Sequence, residues 1–200
     1  MPRAKTKTRT ELVDNALMTF WKNGYHVVSM KDLVQETGVS RGGIYTDFAG
    51  KRELFHACLQ RYQETVVTPA FARVEAEGAG LSAIRDYLEH LIARVDDSPQ
   101  ASLGCLVGNT LAQIDKNETD TLKFLEQHNQ RITAGFCAAI SRENQAKKHL
   151  DASQVEELAS FASISVRGLW VVSRGASDST MLRQYCETLL ACLQARIHGS

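Results

Sequence analysis

Proline is nearly absent from this chain, with three in 200 residues, and no two of its five cysteines stand in a CxxC or similar pair. So few helix breakers, together with long segments rich in Ala, Leu, Glu, Gln and Arg, predict an all-α fold. The odd, scattered cysteines (Cys58, Cys105, Cys137, Cys186 and Cys192) argue against a disulfide framework and for reduced thiols in a cytoplasmic setting. The six histidines form no HxxxH or HExxH pair, so neither a metal nor another cofactor is expected. No apolar run reaches the roughly 18 residues of a membrane span, and the basic, polar start has no signal-peptide core. Net charge is lacking too, at +0 overall, but its distribution is uneven. Up to Arg61 ten Lys/Arg face six Asp/Glu, a net of +4, while the remainder carries thirteen against seventeen, a net of −4. A basic front and an acidic rear suit a head that approaches nucleic acid on a body that stays clear of it.

What is present is one strongly punctuated stretch, residues 29–48. Ser29 followed by Asp32 resembles a capping box ahead of Leu33 and Val34 and starts a short helix. Gly38 can take the left-handed conformation that stops it; Val39 turns back to the core and Ser40 caps the next helix. There Ile44 and Phe48, four apart, share a buried face, which leaves Arg41, Gly42, Tyr45 and Thr46 on the opposite one. Consecutive glycines cost a helix roughly 1 kcal/mol each, so Gly42 and Gly43 predict a close approach to the main chain, as by a phosphodiester backbone. Two short helices joined by a tight turn are a helix-turn-helix, and the ligand it suggests is DNA. Gly38-Val39-Ser40-Arg41-Gly42 also matches the G-x-S-x-G elbow of serine hydrolases. That elbow needs a strand before the serine, whereas Lys31 to Thr37 reads as helix.

Ahead of this stretch, a helix over about Arg9 to Asn23 presents Leu12, Val13, Ala16, Leu17 and Phe20 on one side, with Trp21 at its margin. Met1 to Thr8 is expected to be a flexible basic arm, of a kind that can reach a minor groove. After it, a fourth helix is expected from Lys51 to about Val67. Lys51, at the helix start, is placed for a phosphate contact, a solvated lysine being the alternative. Thr68-Pro69 is expected to break or kink the chain, with a short helical piece over Phe71 to Glu77 beyond it.

Gly24-Tyr25, Ser29, Asp32-Leu33, Gly38-Val39-Ser40, Ile44-Tyr45-Thr46-Asp47-Phe48 and Lys51-Arg52-Glu53-Leu54-Phe55 together resemble the amino-terminal domain of the TetR/AcrR family of bacterial transcriptional repressors. The resemblance covers about the first 60 residues. It implies a helix-turn-helix DNA-binding domain over 1–61 and an effector-binding and dimerisation domain over 62–200, in a homodimer that is not an enzyme and whose partner is double-stranded operator DNA. It further implies that Arg41, Gly42, Gly43 and Thr46 face the bases while Tyr45, Lys31 and Lys51 grip the backbone. Arg41 can read guanine through O6 and N7. Asp47 departs from the family pattern, where His or Tyr is common; its carboxylate either turns aside to cap or pair, or accepts from a cytosine amine.

In the rear, helices are expected over Leu81 to about Val95, Glu118 to about Gln145, Ser153 to Arg174 and Ser179 to Ile197. Cys105 is placed in the first turn of a helix capped by Ser102, where the dipole lowers a thiol pKa, so it is a candidate sensor of electrophiles or oxidants; a small buried hydrophobe is the alternative. A Gly-Cys-Leu there resembles electrophile-sensing members of the family. Tyr87, Asn109, Phe124, His128 and Arg167 are further candidates for an effector cavity, with a satisfied His128 and a glutamate-paired or snorkelling Arg167 as the bland alternatives. Leu158, Phe161, Ala162, Leu169, Leu182, Tyr185, Leu189 and Leu193 are expected to form half of a four-helix dimer interface, or else an internal core. The rivals to a regulator are a thiol or serine hydrolase using Cys105 or Ser40, and a helical protein-interaction module that no longer binds DNA.

Overall fold

The computed structural model describes residues 8–97, 103–145 and 149–199, and among these there is no strand. The expected arm ahead of Thr8 and the Ser102 cap lie outside them. The helices are α1 (Arg9–Asn23), α2 (Met30–Thr37), α3 (Arg41–Asp47), α4 (Lys51–Tyr62), α5 (Thr68–Glu75), α6 (Leu81–Asp97), α7 (Leu106–Leu111), α8 (Thr119–Gln145), α9 (Ala152–Ser173) and α10 (Thr180–His198). None is long and apolar enough to cross a membrane.

Local capping builds the first three. Thr8 and Glu11 form a reciprocal capping box at α1, and Ser29 and Asp32 form another at α2. Gly38 ends α2 in the left-handed conformation, at φ 67°, and Ser40 Oγ accepts from the Gly43 amide at 3.1 Å to begin α3. Ser40 is thus a helix cap preceded by a helix, which removes the geometry of a nucleophile elbow. Leu12, Ala16 and Phe20 of α1, Leu33 of α2, Ile44 of α3 and Leu54 and Phe55 of α4 close into one fully buried head core.

The chain does not break at Pro69. From α4 it passes through a π-helical turn, Gln63–Val67, directly into α5, with the Thr68 amide bonded five residues back to the Gln63 carbonyl. A proline in the first turn of α5 needs no amide hydrogen, so the helical run continues from Lys51 to Glu75. The expected boundary between residues 61 and 62 therefore falls inside one helical run, without a linker.

In the body, α5 lies so close to α8 that a Cβ on Gly135 would stand 2.5 Å from the Phe71 ring. Phe71, Tyr87 and Phe136 meet edge to face around that contact. Six of the eight residues expected at a dimer interface are instead core: Leu158, Ala162, Leu169, Leu182, Leu189 and Leu193 are buried within the single chain. Helices α9 and α10 each carry two apolar stripes, and the stronger one is used internally. The outer stripe keeps Phe161 and Tyr185 and adds Ile164, Val171, Val172 and Met181, all exposed, around the small, open Gly168.

Candidate DNA-binding face and effector cavity

Burying Ile44 and Phe48 turns the other side of α3 to solvent. Arg41, Gly42, Tyr45, Thr46 and Asp47 are all exposed there, as is Lys31 on α2. The Arg41 guanidinium lies 5.8 Å from the Tyr45 ring centroid, a one-turn stacking that holds both side chains on this face. The Thr46 hydroxyl donates to the Gly42 carbonyl at 2.9 Å. Asp47 makes no ion pair or hydrogen bond among the described residues, so turning aside to cap or pair is not its role. The cap near α4 is supplied by Glu53, whose carboxylate accepts from the Ala49 amide at 2.8 Å.

Two expectations on this face change. Gly43 is half-buried, and a Cβ there would lie 2.8 Å from Val39 Cγ1; its missing side chain makes room for the turn itself, not for an outside partner. Gly42 has nothing within 4 Å and stays open to one. Gly42→Ala is therefore expected to raise folding stability by about 0.5–1 kcal/mol and to weaken DNA binding. Gly43→Ala is expected to cost about 1 kcal/mol or more through crowding. Urea unfolding and fluorescence anisotropy on the two variants separate the effects. Lys51 is not a freely solvated cation: its ammonium donates to the Val28 carbonyl at 2.7 Å and stands 4.6 Å from the Tyr25 ring centroid. Burial holds its pKa below the ordinary lysine value. Two of its three N–H donors remain for a phosphate.

Between head and body lies a cavity of about 320 Å³, at the small end of the range that holds small molecules. Met18 and Trp21 of α1, Tyr62 of α4, Val66 and Val67 of the π turn, Tyr87, Leu91 and Arg94 of α6, Cys105, His128 and Ile132 of α8, and Val166, Arg167 and Trp170 of α9 are among its walls. Of the six effector candidates it brings together Tyr87, Cys105, His128 and Arg167. Phe124 lines a separate hollow beside Arg131, and the Asn109 amide is spent on the Leu103 carbonyl at 2.7 Å. Trp21, Tyr62, Arg94 and Trp170 were not legible as cavity residues. The one available signal was Trp21, a large ring just off the stripe that α1 buries in the head. Its indole donates to the Gly104 carbonyl at 3.1 Å and meets Tyr62 edge to face at 4.9 Å, so α1 is pinned to the body.

Cys105 does not have the expected activated thiol. It is the residue before α7, not in its first turn, and burial pushes its pKa up, against the lowering effect of the Tyr62 hydroxyl. Desolvation outweighs the hydrogen bonds from the α7 amides. His128 is buried and accepts at Nδ1 from the Gln63 amide at 2.6 Å; burial, then Arg131 and Arg167, lower its pKa to about 4. An unfolded His128 takes up its proton near 6.5 and the folded one only near 4. Its contribution is fully present above about pH 6.5 and is lost as pH falls toward 4, by about 3 kcal/mol at the lower end. His56, also lowered by burial, acts in the same direction. His128→Gln should flatten urea-unfolding stability against pH over this window.

A capped helix-turn-helix head with an open recognition face, on an all-helical body, defines a class of DNA-binding regulator. Residues 12–58 match the family model described as "Bacterial regulatory proteins, tetR family". The HTH-type transcriptional repressor ComR of Escherichia coli (strain K12) is 28% identical over 192 residues, covering 94% of this chain and 90% of that protein. The uncharacterized HTH-type regulator YezE of Bacillus subtilis (strain 168) is 22% identical over 194 residues, covering 96% and 100%. A cysteine-substituted CifR, a TetR family regulator solved in complex with a 26-bp double-strand operator DNA, shares the fold at a TM-score of 0.77 and 19% identity, over 98% of this chain and 97% of that one. Residues 12–58 are thus a TetR-family amino-terminal domain, and over nearly its whole length the chain is similar to TetR-family transcriptional regulators.

Proposed function

We propose that the chain is a homodimeric transcriptional repressor that binds a palindromic operator and is released by a small molecule occupying the cavity. Residues 1–61 serve as the DNA-binding head and 62–200 as the effector and dimerisation body. The observation that carries this reading is that the cavity wall includes α1 of the head: Met18 and Trp21 line the same space as Arg167 and Trp170 of the body. A ligand that favours a different seating of Trp21 shifts the angle of the head, and its differential affinity for that conformer lowers operator affinity. Arg41, Gly42 and Thr46 read bases, with Gly43 beside them in the turn, and Tyr45, Lys31 and Lys51 hold phosphates. The exposed stripe of α9 and α10 pairs with its copy by two-fold symmetry.

Cys105 enters this reading as a cavity wall beside Tyr62, and the effector proposed is a reversibly bound molecule. Selection from random-sequence duplexes tests the proposal. Recovery of a two-fold symmetric site, with half-sites about one helical turn apart or slightly more, is expected. Recovery of no common sequence would contradict it.

A further inference from the structure

Four arginines of the body are paired with carboxylates. Arg131 makes a two-pronged pair with Glu75 at 2.6 Å, Arg73 and Arg85 meet Asp86 and Glu187 at 3.1 Å, and Arg183 pairs with Asp96. Arg167 and Arg94, which line the cavity, have no carboxylate partner among the described residues. Arg167 is half-buried on the apolar face of α9 and, among the described residues, its guanidinium donates to the Ser163 carbonyl alone, at 3.3 Å. Arg94, at the rim, lies 5.9 Å from the Trp21 ring centroid. Among the described residues no Asp or Glu lines the cavity, and His128 is neutral at physiological pH. The remaining walls are mainly aliphatic and aromatic.

Burying part of a guanidinium against such walls without a counter-charge is unfavourable. A carboxylate ligand would remove that cost, because its two oxygens match the planar fork of an arginine, while its apolar remainder would cover the aromatic walls. We propose that the effector is an amphipathic carboxylate, its acid group held by Arg167 with Arg94 closing over it from the rim, and its apolar body seated among Trp21, Tyr62, Tyr87 and Trp170. This rests on the cavity being the effector site and specifies its chemistry.

The chain has two tryptophans, Trp21 and Trp170, and both line the cavity, so intrinsic fluorescence reports on its filling. Octanoate and 1-octanol, matched in chain length, are titrated into the full-length wild type, Arg167→Gln, Arg167→Lys and Arg94→Gln, with circular dichroism checking each fold. Octanoate should bind the wild type roughly tenfold or more tighter than octanol, as befits a charge-assisted pair. Arg167→Gln should erase that preference while leaving octanol affinity unchanged, Arg167→Lys should restore part of it, and Arg94→Gln should reduce it. Equal affinities in the wild type, or a preference that survives Arg167→Gln, would overturn the carboxylate assignment and leave the effector cavity standing. No fluorescence change with either probe would overturn both. Should Arg167→Gln fail to fold, the wild-type pair and Arg94→Gln still decide the matter.

Discussion

Ile164→Glu is expected to leave each protomer folded, to convert the proposed dimer to monomer, and to weaken operator binding by roughly a hundredfold or more. Ile164 is 61% exposed on the outer stripe, about one turn from Phe161 at 44%, and Tyr185 of α10 is exposed at 42%. A glutamate there is solvated in the monomer and costs the fold little, but two-fold pairing would bury it against its own copy without a cation to meet it. Losing the dimer costs more than the interface alone, since a second head tethered at the right spacing binds its half-site as an intramolecular event. Sedimentation velocity reads the assembly and anisotropy on operator DNA reads the affinity. A variant that stays dimeric with unchanged affinity would place the interface elsewhere.

The second large effect lies in the head. Phe55→Ala is expected to remove about 3–5 kcal/mol of folding stability, a substantial share of what a domain of this size possesses. Phe55 is fully buried, and its ring meets Phe20 edge to face at 5.0 Å and Tyr25 at 4.6 Å. Truncation would leave a void bordered by Phe20 of α1 and Tyr25 of the turn before α2. Phe161→Ala, removing an equal ring from an exposed position, should change the stability of the protomer by less than about 0.5 kcal/mol. Urea unfolding followed by far-ultraviolet circular dichroism compares them directly.

The two variants also mark what sequence could and could not convey. The caps at Ser29 and Ser40, the left-handed Gly38 and the outward face of α3 were legible because each depends on residues within one or two helical turns. Lys51 was read correctly as standing at a helix start, but its partners, the Val28 carbonyl and the Tyr25 ring, come from a loop that only the folded head brings near. The apolar stripes of α9 and α10 announced buried faces without saying whether the cover came from the same chain or from another. Leu182 and Leu193 took the internal face, leaving Ile164 and Met181 exposed on the outer one. Cys105 shows the limit of a local electrostatic argument: a helix start favours a thiolate, yet burial acts more strongly and in the opposite direction. The cavity itself draws on residues from Met18 to Trp170, and no periodicity within one helix could have assembled them.

The central claim, that α3 reads DNA through the face bearing Arg41, is tested most directly by anisotropy on the duplex upstream of the chain's own coding region. Wild type and Arg41→Ala would be titrated over a range of salt concentrations. The account predicts specific binding that weakens steeply as salt rises, and a loss of about 1–3 kcal/mol in Arg41→Ala at a fixed salt concentration. Affinity equal to that for unrelated DNA, or unchanged by Arg41→Ala, would contradict it.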